Sequence, residues 1–545
     1  MEKDLERAAE LYRAAHERQY DAATSALGVC CEFGYGVEKD LEKALELYRQ
    51  AAERGNTRAQ CNLGYCYYRG IGVEENNDEA AKWFAKSAQQ GYPRAQQLMG
   101  ECYELGRGVE EDLEKAASLY RAAHEGGHAP GTCSLGLCYE LGQGVEMDKE
   151  KAAQLYRQAA DQGNPRAQCN LGFFYYWGIA VEKNNNEATK WFAKAAEQGF
   201  HRAEFYLGEC YENGCGVEKD QGKAVEFYRR AHEGGYSDGT CSLGVCYEAG
   251  RGVPQDTVKA AQLYRQAAER GNTRAQCNLG YCYYRGIGVE ENNDEAAKWF
   301  AKSAQQGYPR AQQLMGECYE LGRGVEEDLE KAASLYRAAH EGGHAPGTCS
   351  LGLCYELGQG VEMDKEKAAQ LYRQAADQGN PRAQCNLGFF YYWGIAVEKN
   401  NNEATKWFAK AAEQGFHRAE FYLGECYENG CGVEKDQGKA VEFYRRAHEG
   451  GYSDGTCSLG VCYEAGRGVP QDTVKAAQLY RQAAQRGNAR AQYFLGGCYE
   501  TGHGVDRDRK KAKELYQEAA KKGYKKAEEA LKRLKRRGLW PGRKG

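Results

Sequence analysis

The string in this sequence that comes closest to a catalytic motif is His124-Glu125-Gly126-Gly127-His128, which returns at residues 340–344. It fits H-E-x-x-H, in which two histidines one helical turn apart bind zinc and the glutamate acts as general base. Two glycines separate these histidines where each repeat is expected to end a helix, so the helical spacing is lost. Residues 232–236 lack the second histidine, and no third ligand is apparent. We therefore predict no metal, no cofactor and no catalytic residue.

A second pattern suits binding: arginine, asparagine and aromatic residues recur on one helix of every third repeat, away from its apolar positions. Arginine with asparagine can hold a carboxylate or an extended peptide backbone, and exposed rings supply contact area at low entropic cost. The alternative is that the rings only fill contacts between adjacent repeats and each arginine pairs with a nearby acid. The predicted binding residues are Arg58, Asn62, Tyr65, Arg69, Arg166, Asn170, Phe173, Trp177, Arg274, Asn278, Tyr281, Arg285, Arg382, Asn386, Phe389 and Trp393.

The 23 cysteines resemble a disulfide framework in number but not in arrangement. Twelve occupy one position of a predicted helix, from Cys30 to Cys498, and eight occupy a second position five residues earlier. Two such positions lie about 140° apart around a helix, so cysteines within one repeat cannot bond each other. We predict reduced, buried thiols, with disulfides between repeats or metal sites as the alternative.

These residues are positioned by an internal repeat. Residues 47–268 recur letter for letter as residues 263–484, and the offset of 216 is six times a shorter period of 36. A unit of this size cannot bury its own apolar face and must stack on its neighbours. The period therefore predicts a solenoid rather than a globular core.

Residues 57–92 show the predicted elements of one unit. Gly70 and Gly72 end a first helix, a residue from Asn76 to Asp78 caps a second, and Gly91 ends it. Gly64 lies inside the first helix, where glycine costs about 1 kcal/mol against alanine, so its recurrence predicts close helix approach. The residues expected on the buried faces of the two helices are Ala59, Leu63, Gly64 and Tyr67, then Ala80, Phe84, Ser87 and Ala88.

The recurring pattern A-x3-L-G-x2-Y-x2-G-x-G-V-x2-D-x2-K-A-x3-Y-x2-A-A-x2-G resembles the Sel-1-like repeat, a relative of the tetratricopeptide repeat. Its leucine is kept in register from Leu27 to Leu495, with Met99 and Met315 in its place twice, and Cys31 replaces the tyrosine. The resemblance implies a right-handed superhelix of antiparallel helix pairs whose first helices line a concave groove. It also implies adaptor roles in protein complexes and in secretion or stress pathways.

We therefore predict an all-α fold, an α/α right-handed superhelical solenoid of 36-residue helix-turn-helix repeats. Residues 1–20 are expected to form an N-terminal half-repeat, an orphan second helix with Asp4 at its cap. Residues 21–524 are expected to form fourteen repeats in one continuous solenoid. Residues 525–545 are expected to form a basic C-terminal capping helix and tail.

Charge and hydropathy restrict the partners. The net charge is -5, and residues 525–545 hold nine Lys or Arg and two Glu, so the preceding residues carry -12. Nucleic acid is thus a poor partner, although the basic tail with Leu539 and Trp540 can touch an anionic surface weakly. No apolar run is long enough to span a membrane, and the opening residues read as an amphipathic helix rather than a signal peptide. A cytoplasmic location is expected.

The predicted function is a non-enzymatic scaffold or adaptor that binds protein or peptide partners in the concave groove. One alternative is a hydrolase or β-lactam-binding protein, as in a cysteine-rich branch of the family that bridges one cysteine in each helix; this sequence lacks the second cysteine. Another alternative is a designed or artificially duplicated array without an evolved partner.

Overall fold

The computed structural model describes residues 2–538, with side chains for residues 4–535, and every regular element in this range is an α-helix. The all-α prediction is confirmed. Contacts divide the chain into two units, Met1–Ala275 and Gln276–Gly545, and the division falls within α16 (Thr273–Arg285).

The first unit holds fifteen helices that precede α16. They are α1 (Glu2–Glu17), α2 (Asp21–Phe33), α3 (Leu41–Glu53), α4 (Thr57–Arg69), α5 (Asn77–Gln89), α6 (Pro93–Leu105), α7 (Leu113–Glu125), α8 (Ala129–Leu141), α9 (Lys149–Asp161), α10 (Pro165–Trp177), α11 (Asn185–Glu197), α12 (His201–Asn213), α13 (Gln221–Glu233), α14 (Ser237–Ala249) and α15 (Thr257–Glu269).

The second unit continues with the same alternation of helices. They are α17 (Asn293–Gln305), α18 (Pro309–Leu321), α19 (Leu329–Glu341), α20 (Ala345–Leu357), α21 (Lys365–Asp377), α22 (Pro381–Trp393), α23 (Asn401–Glu413), α24 (His417–Asn429), α25 (Gln437–Glu449), α26 (Ser453–Ala465), α27 (Thr473–Gln485), α28 (Ala489–Thr501), α29 (Arg509–Lys521) and α30 (Lys525–Gly538).

Each repeat is bounded by the residues that the sequence predicts. Gly70 follows α4 with φ 66°, a left-handed conformation that glycine adopts without strain. The Asn76 side chain accepts a hydrogen bond from the Glu79 amide (3.0 Å), and Asp40 caps α3 in the same way. These turns fold the second helix of each repeat back along the first.

The two helices of a repeat pack closely because a glycine faces an aromatic ring. A Cβ atom on Gly64 would lie 2.8 Å from the Phe84 ring, closer than side chains tolerate. Phe84, Ala59 and Leu63 are fully buried beside it. The predicted close approach at Gly64 is confirmed, and the apolar core runs through the interior of each unit.

One predicted cap is wrong. Asp4 was expected at the N-cap of the first helix, but α1 already begins at Glu2 and includes it. Glu2 and Lys3, which lead into Asp4, favour a helix and include no glycine that would turn the backbone. The backbone before Asp4 can therefore continue the helix.

Within each unit, the first helices of successive repeats lie closer together than the second helices. In the first unit α6 contacts α8 and α12 contacts α14, and in the second unit α18 contacts α20 and α24 contacts α26. No two second helices in the described part of the chain make comparably extensive contact. The first helices therefore line the inner side of the curve in each unit.

Candidate functional site

The predicted binding residues lie on the first helices of four repeats that share one composition. We name these A repeats, and the two units that follow each of them B and C repeats. The A repeats are residues 57–92, 165–200, 273–308 and 381–416; the B repeats are 93–128, 201–236, 309–344 and 417–452; the C repeats are 129–164, 237–272, 345–380 and 453–488.

Arginines and tryptophans of the A repeats are the exposed members of the predicted set. Trp177 and Trp393 are each 58% exposed, which is unusual for so large an apolar side chain. Both tryptophans are the last residues of their first helices, where their rings offer exposed contact area. The exposed arginines of the set are Arg58, Arg69, Arg166, Arg274, Arg285 and Arg382.

The predicted asparagines are mostly engaged inside the protein. Asn170, Asn278 and Asn386 are buried, and only Asn62 is half-buried. The Asn386 side-chain oxygen accepts a hydrogen bond from an arginine of the following B repeat, Arg418, at 3.4 Å. These asparagines thus join adjacent repeats.

The A-repeat rings Tyr65, Phe173, Tyr281 and Phe389 are half-buried, each under an arginine that the sequence reasoning missed. The Arg418 guanidinium lies 5.8 Å from the centroid of Phe389, and Arg94 lies 5.3 Å from that of Tyr65. This distance suits a cation–π contact. The sequence does carry a sign of this contact: the second residue of every A repeat and of every B repeat is arginine, as in Arg58 and Arg94.

Trp393 extends this aromatic surface outward. Its ring centroid lies 5.2 Å from that of Tyr392 and 6.2 Å from that of Phe389. Trp177 makes the equivalent contacts with Tyr176 and Phe173. Each unit therefore carries one cluster of three rings whose outermost member is exposed.

A half-buried glutamate of the B repeat stands beside each cluster, at a position that the sequence reasoning did not select. Burial raises the pKa of the Glu425 carboxyl to about 7, and that of Glu209 likewise. The same effect raises the pKa of Tyr392, which lies near enough to Glu425 for its charge to add to the shift. No described residue donates a hydrogen bond to the Glu425 side chain.

The H-E-x-x-H strings do not place two histidines on one helix. α7 ends at Glu125, and His128 stands at the N-cap of α8. His124 pairs its Nδ1 atom with the Thr132 hydroxyl oxygen at 3.0 Å. The described residues contain no group of three or more His, Cys, Asp or Glu side chains placed to hold a metal.

The cysteines are free thiols, and all are buried except the partly exposed Cys215 and Cys431. Desolvation raises the pKa of Cys66 and of Cys102 to about 12. These side chains act as small apolar residues in the core.

The basic C-terminal helix is present as α30, whereas Leu539 and Trp540 lie outside the described residues. None of the described helices combines the length and the apolarity that a membrane crossing requires.

Comparison with known proteins now identifies the repeat. The Sel1 repeat matches residues 1–18 and each 36-residue unit from 21–56 to 489–524. The chain is similar to a solved protective antigen of uropathogenic Escherichia coli strains displaying an SLR fold: the two share 33% identity over 85% of this chain and 99% of that one, with a TM-score of 0.58. A Sel1 repeat protein from Oxalobacter formigenes is 32% identical over 45% of this chain and 96% of its own, with a TM-score of 0.42. No curated protein matches significantly.

Proposed function

The chain belongs to the Sel1 repeat family, and we propose that it is a non-enzymatic scaffold whose concave face binds peptide segments of protein partners. Repeats of this family typically mediate protein–protein interaction. The observation that carries the proposal is the exposure of Trp177 and Trp393 on first helices, each backed by two further rings. Tryptophan and arginine are the residues that most often dominate binding energy at protein interfaces.

The exposed arginines of the A repeats support the same function. Arg58 and Arg382 are exposed residues of first helices, Arg58 near the buried Tyr48 and Arg382 near the half-buried Glu317. A guanidinium can donate several hydrogen bonds to the carbonyl groups of an extended peptide. The buried asparagines contribute by holding adjacent repeats in register rather than by contacting a partner.

A selection of phage-displayed twelve-residue peptides on the full chain tests the proposal. Selected peptides should lose at least about tenfold in affinity for the W177A/W393A variant, because a central tryptophan contact is removed. The matched control is M147A/M363A, since Met147 and Met363 are each 60% exposed but lie in turns before second helices. Equal binding to both variants would refute the concave face as the binding surface.

The duplication adds a stoichiometric expectation. Trp177 and Trp393 occupy equivalent positions of the identical stretches 47–268 and 263–484, so a short peptide meets two sites of the same local composition. Calorimetry should therefore give a stoichiometry near two or a multiple of it. A single site that survives W177A/W393A would place binding elsewhere.

A further inference from the structure

The junction between an A repeat and its B repeat occurs in two versions, and residues 285, 313 and 323 are among the positions at which they differ. The first version joins residues 273–308 to 309–344, and it also occurs at 57–92 and 93–128. The second joins residues 381–416 to 417–452, and it also occurs at 165–200 and 201–236. Because the backbone is the same, the first version shows which internal groups the second version lacks.

In the first version, the tyrosine and the glutamate of the junction both have internal partners. Arg323 donates a hydrogen bond to the Tyr284 hydroxyl (2.6 Å), and its guanidinium lies 5.1 Å from the ring centroid. Gln313 donates a hydrogen bond to the Glu317 carboxylate (2.6 Å). Arg107 covers Tyr68 in the same way in the other copy.

In the second version, two substitutions remove these partners and a third adds an aromatic ring. Cys431 stands where Arg323 would be, so the ring of Tyr392 has a thiol beside it instead of a guanidinium. Phe421 replaces Gln313, so no amide donates to Glu425. Trp393 replaces Arg285 and adds an exposed ring next to Tyr392.

The charged groups that face Glu425 from neighbouring helices do not take the place of the arginine that Cys431 replaces. Arg490 approaches from two repeats ahead, but it donates to the Ser458 hydroxyl and forms no ion pair with Glu425 within 4 Å. Glu428 is paired with Arg467 at 3.0 Å. Asp454 accepts from Asn488 and adds negative charge.

We propose that the second version of the junction binds an arginine side chain of a partner protein, with its guanidinium where Arg323 lies in the first version. Glu425 supplies the opposite charge, and the Tyr392 and Trp393 rings supply the faces for cation–π contact. Guanidinium combines both interactions better than ammonium because it is planar and weakly hydrated. The inference rests on the proposed function and specifies the residue that the concave face selects.

The first unit carries the same site in an identical stretch of sequence. Its residues are Glu209, Tyr176, Trp177 and Cys215, and Tyr176 and Trp177 again lie 5.2 Å apart. A chain therefore offers two arginine sites, one in each unit.

Equilibrium dialysis of the full chain with acetyl-Gly-Ser-Arg-Ser-Gly-amide tests the inference. Two peptides per chain should bind, and the matched citrulline peptide, which lacks the charge, should bind at least about tenfold more weakly. The matched lysine peptide should fall between them. Equal binding of the arginine and citrulline peptides would overturn the proposal.

The chain itself provides a variant that fills the site. C215R/C431R installs the arginine that first-version junctions already hold at this position. Arginine-peptide binding should be lost in this variant and in E209Q/E425Q. Arginine-peptide binding should persist in E101Q/E317Q. This variant changes the equivalent glutamates of the first-version junctions, where Arg107 and Arg323 already occupy the position. Retained binding in C215R/C431R would overturn the proposal.

Different results would refute the scaffold function and the arginine site. If displayed peptides require Trp177 and Trp393 yet bind C215R/C431R as well as the native chain, the scaffold function stands and the arginine site does not. If no displayed peptide depends on the tryptophans and the arginine peptide does not bind, both are refuted.

Discussion

Tyr156 donates its hydroxyl hydrogen to the Glu140 carboxylate across 2.5 Å and so joins the two helices of one repeat. Ten of the fourteen repeats in residues 21–524 contain this tyrosine–glutamate bond, and the other four replace both residues together. In these four, phenylalanine stands on the second helix and tyrosine on the first, as in the Tyr68–Phe84 edge contact with ring centroids 6.1 Å apart. A buried hydroxyl needs an acceptor, so neither residue changes alone.

Because the tyrosine and the glutamate are always replaced together, a second substitution should rescue the loss caused by the first. Tyr156→Phe should lower the local free energy of unfolding by about 1–2 kcal/mol, because Glu140 loses the hydroxyl that satisfies it. Adding Glu140→Tyr recreates the pair found at Tyr68 and Phe84 and should recover most of the loss. Hydrogen exchange of the α8 and α9 amides measures both changes. A double variant no more stable than the single one would contradict the interpretation.

The helical glycines predict a steric cost. A Cβ atom on Gly136 would lie 2.8 Å from the Tyr156 ring, so Gly136→Ala should cost about 2 kcal/mol through overpacking. Gly163→Ala is the control, because a Cβ atom at this position meets nothing within 4 Å. Its only cost is the backbone strain of an alanine at φ +88°, about 1 kcal/mol. Urea unfolding of both variants should rank them in this order.

The thiols predict selective labelling. Cys215 and Cys431 are the two partly exposed cysteines, whereas the others are buried. Maleimide at pH 7.5 should modify these two first in the native chain, as mapped by peptide mass spectrometry. In C215S/C431S, the fast phase of maleimide modification should be absent. Reduction with dithiothreitol should leave the melting temperature nearly unchanged, because no disulfide stabilises the fold.

The raised pKa of Glu209 and Glu425 predicts a pH effect on stability. A carboxyl with a pKa of about 7 in the folded chain and its ordinary value in the unfolded chain stabilises the fold most at acidic pH. That contribution should decline as the pH rises from about 4.5 to 7 and stay lost above it.

Comparison with E209Q/E425Q isolates this effect, because glutamine does not titrate. The native chain should lose stability relative to the variant across the same interval, by roughly 1–2 kcal/mol per site. Arg490, Glu428 and Asp454 face Glu425 in both proteins, so their own titration cancels in the difference. A pH-independent difference would show that the carboxylate is solvated.

The sequence predicts well whatever depends on a repeat's own residues. Gly64 and Gly70 mark a close approach and a left-handed helix end, and both follow from glycine's missing side chain. Asn76 caps a helix because its short side chain reaches the free amides of the first turn. These constraints act over a few residues and return with the period.

What the sequence reasoning missed depends on contacts between repeats. Asn386 looked like a groove residue, but its partner Arg418 reaches back from 32 positions later and helps to bury it. Glu425 resembled any solvated acid until the packing around it was known. The signal for its site was the joint loss of glutamine and arginine at positions 421 and 431 relative to 313 and 323.

In the described part of the chain, extensive helix contacts join only neighbours one or two places apart in sequence order. No contact between helices distant in sequence therefore has to break before such an array unfolds. Pulled from both ends, each unit should give way one helix pair after another at nearly constant force, rather than in a single rupture. Contacts restricted to neighbouring helices thus make each unit an elastic element, which lengthens under tension and shortens again when the load is removed.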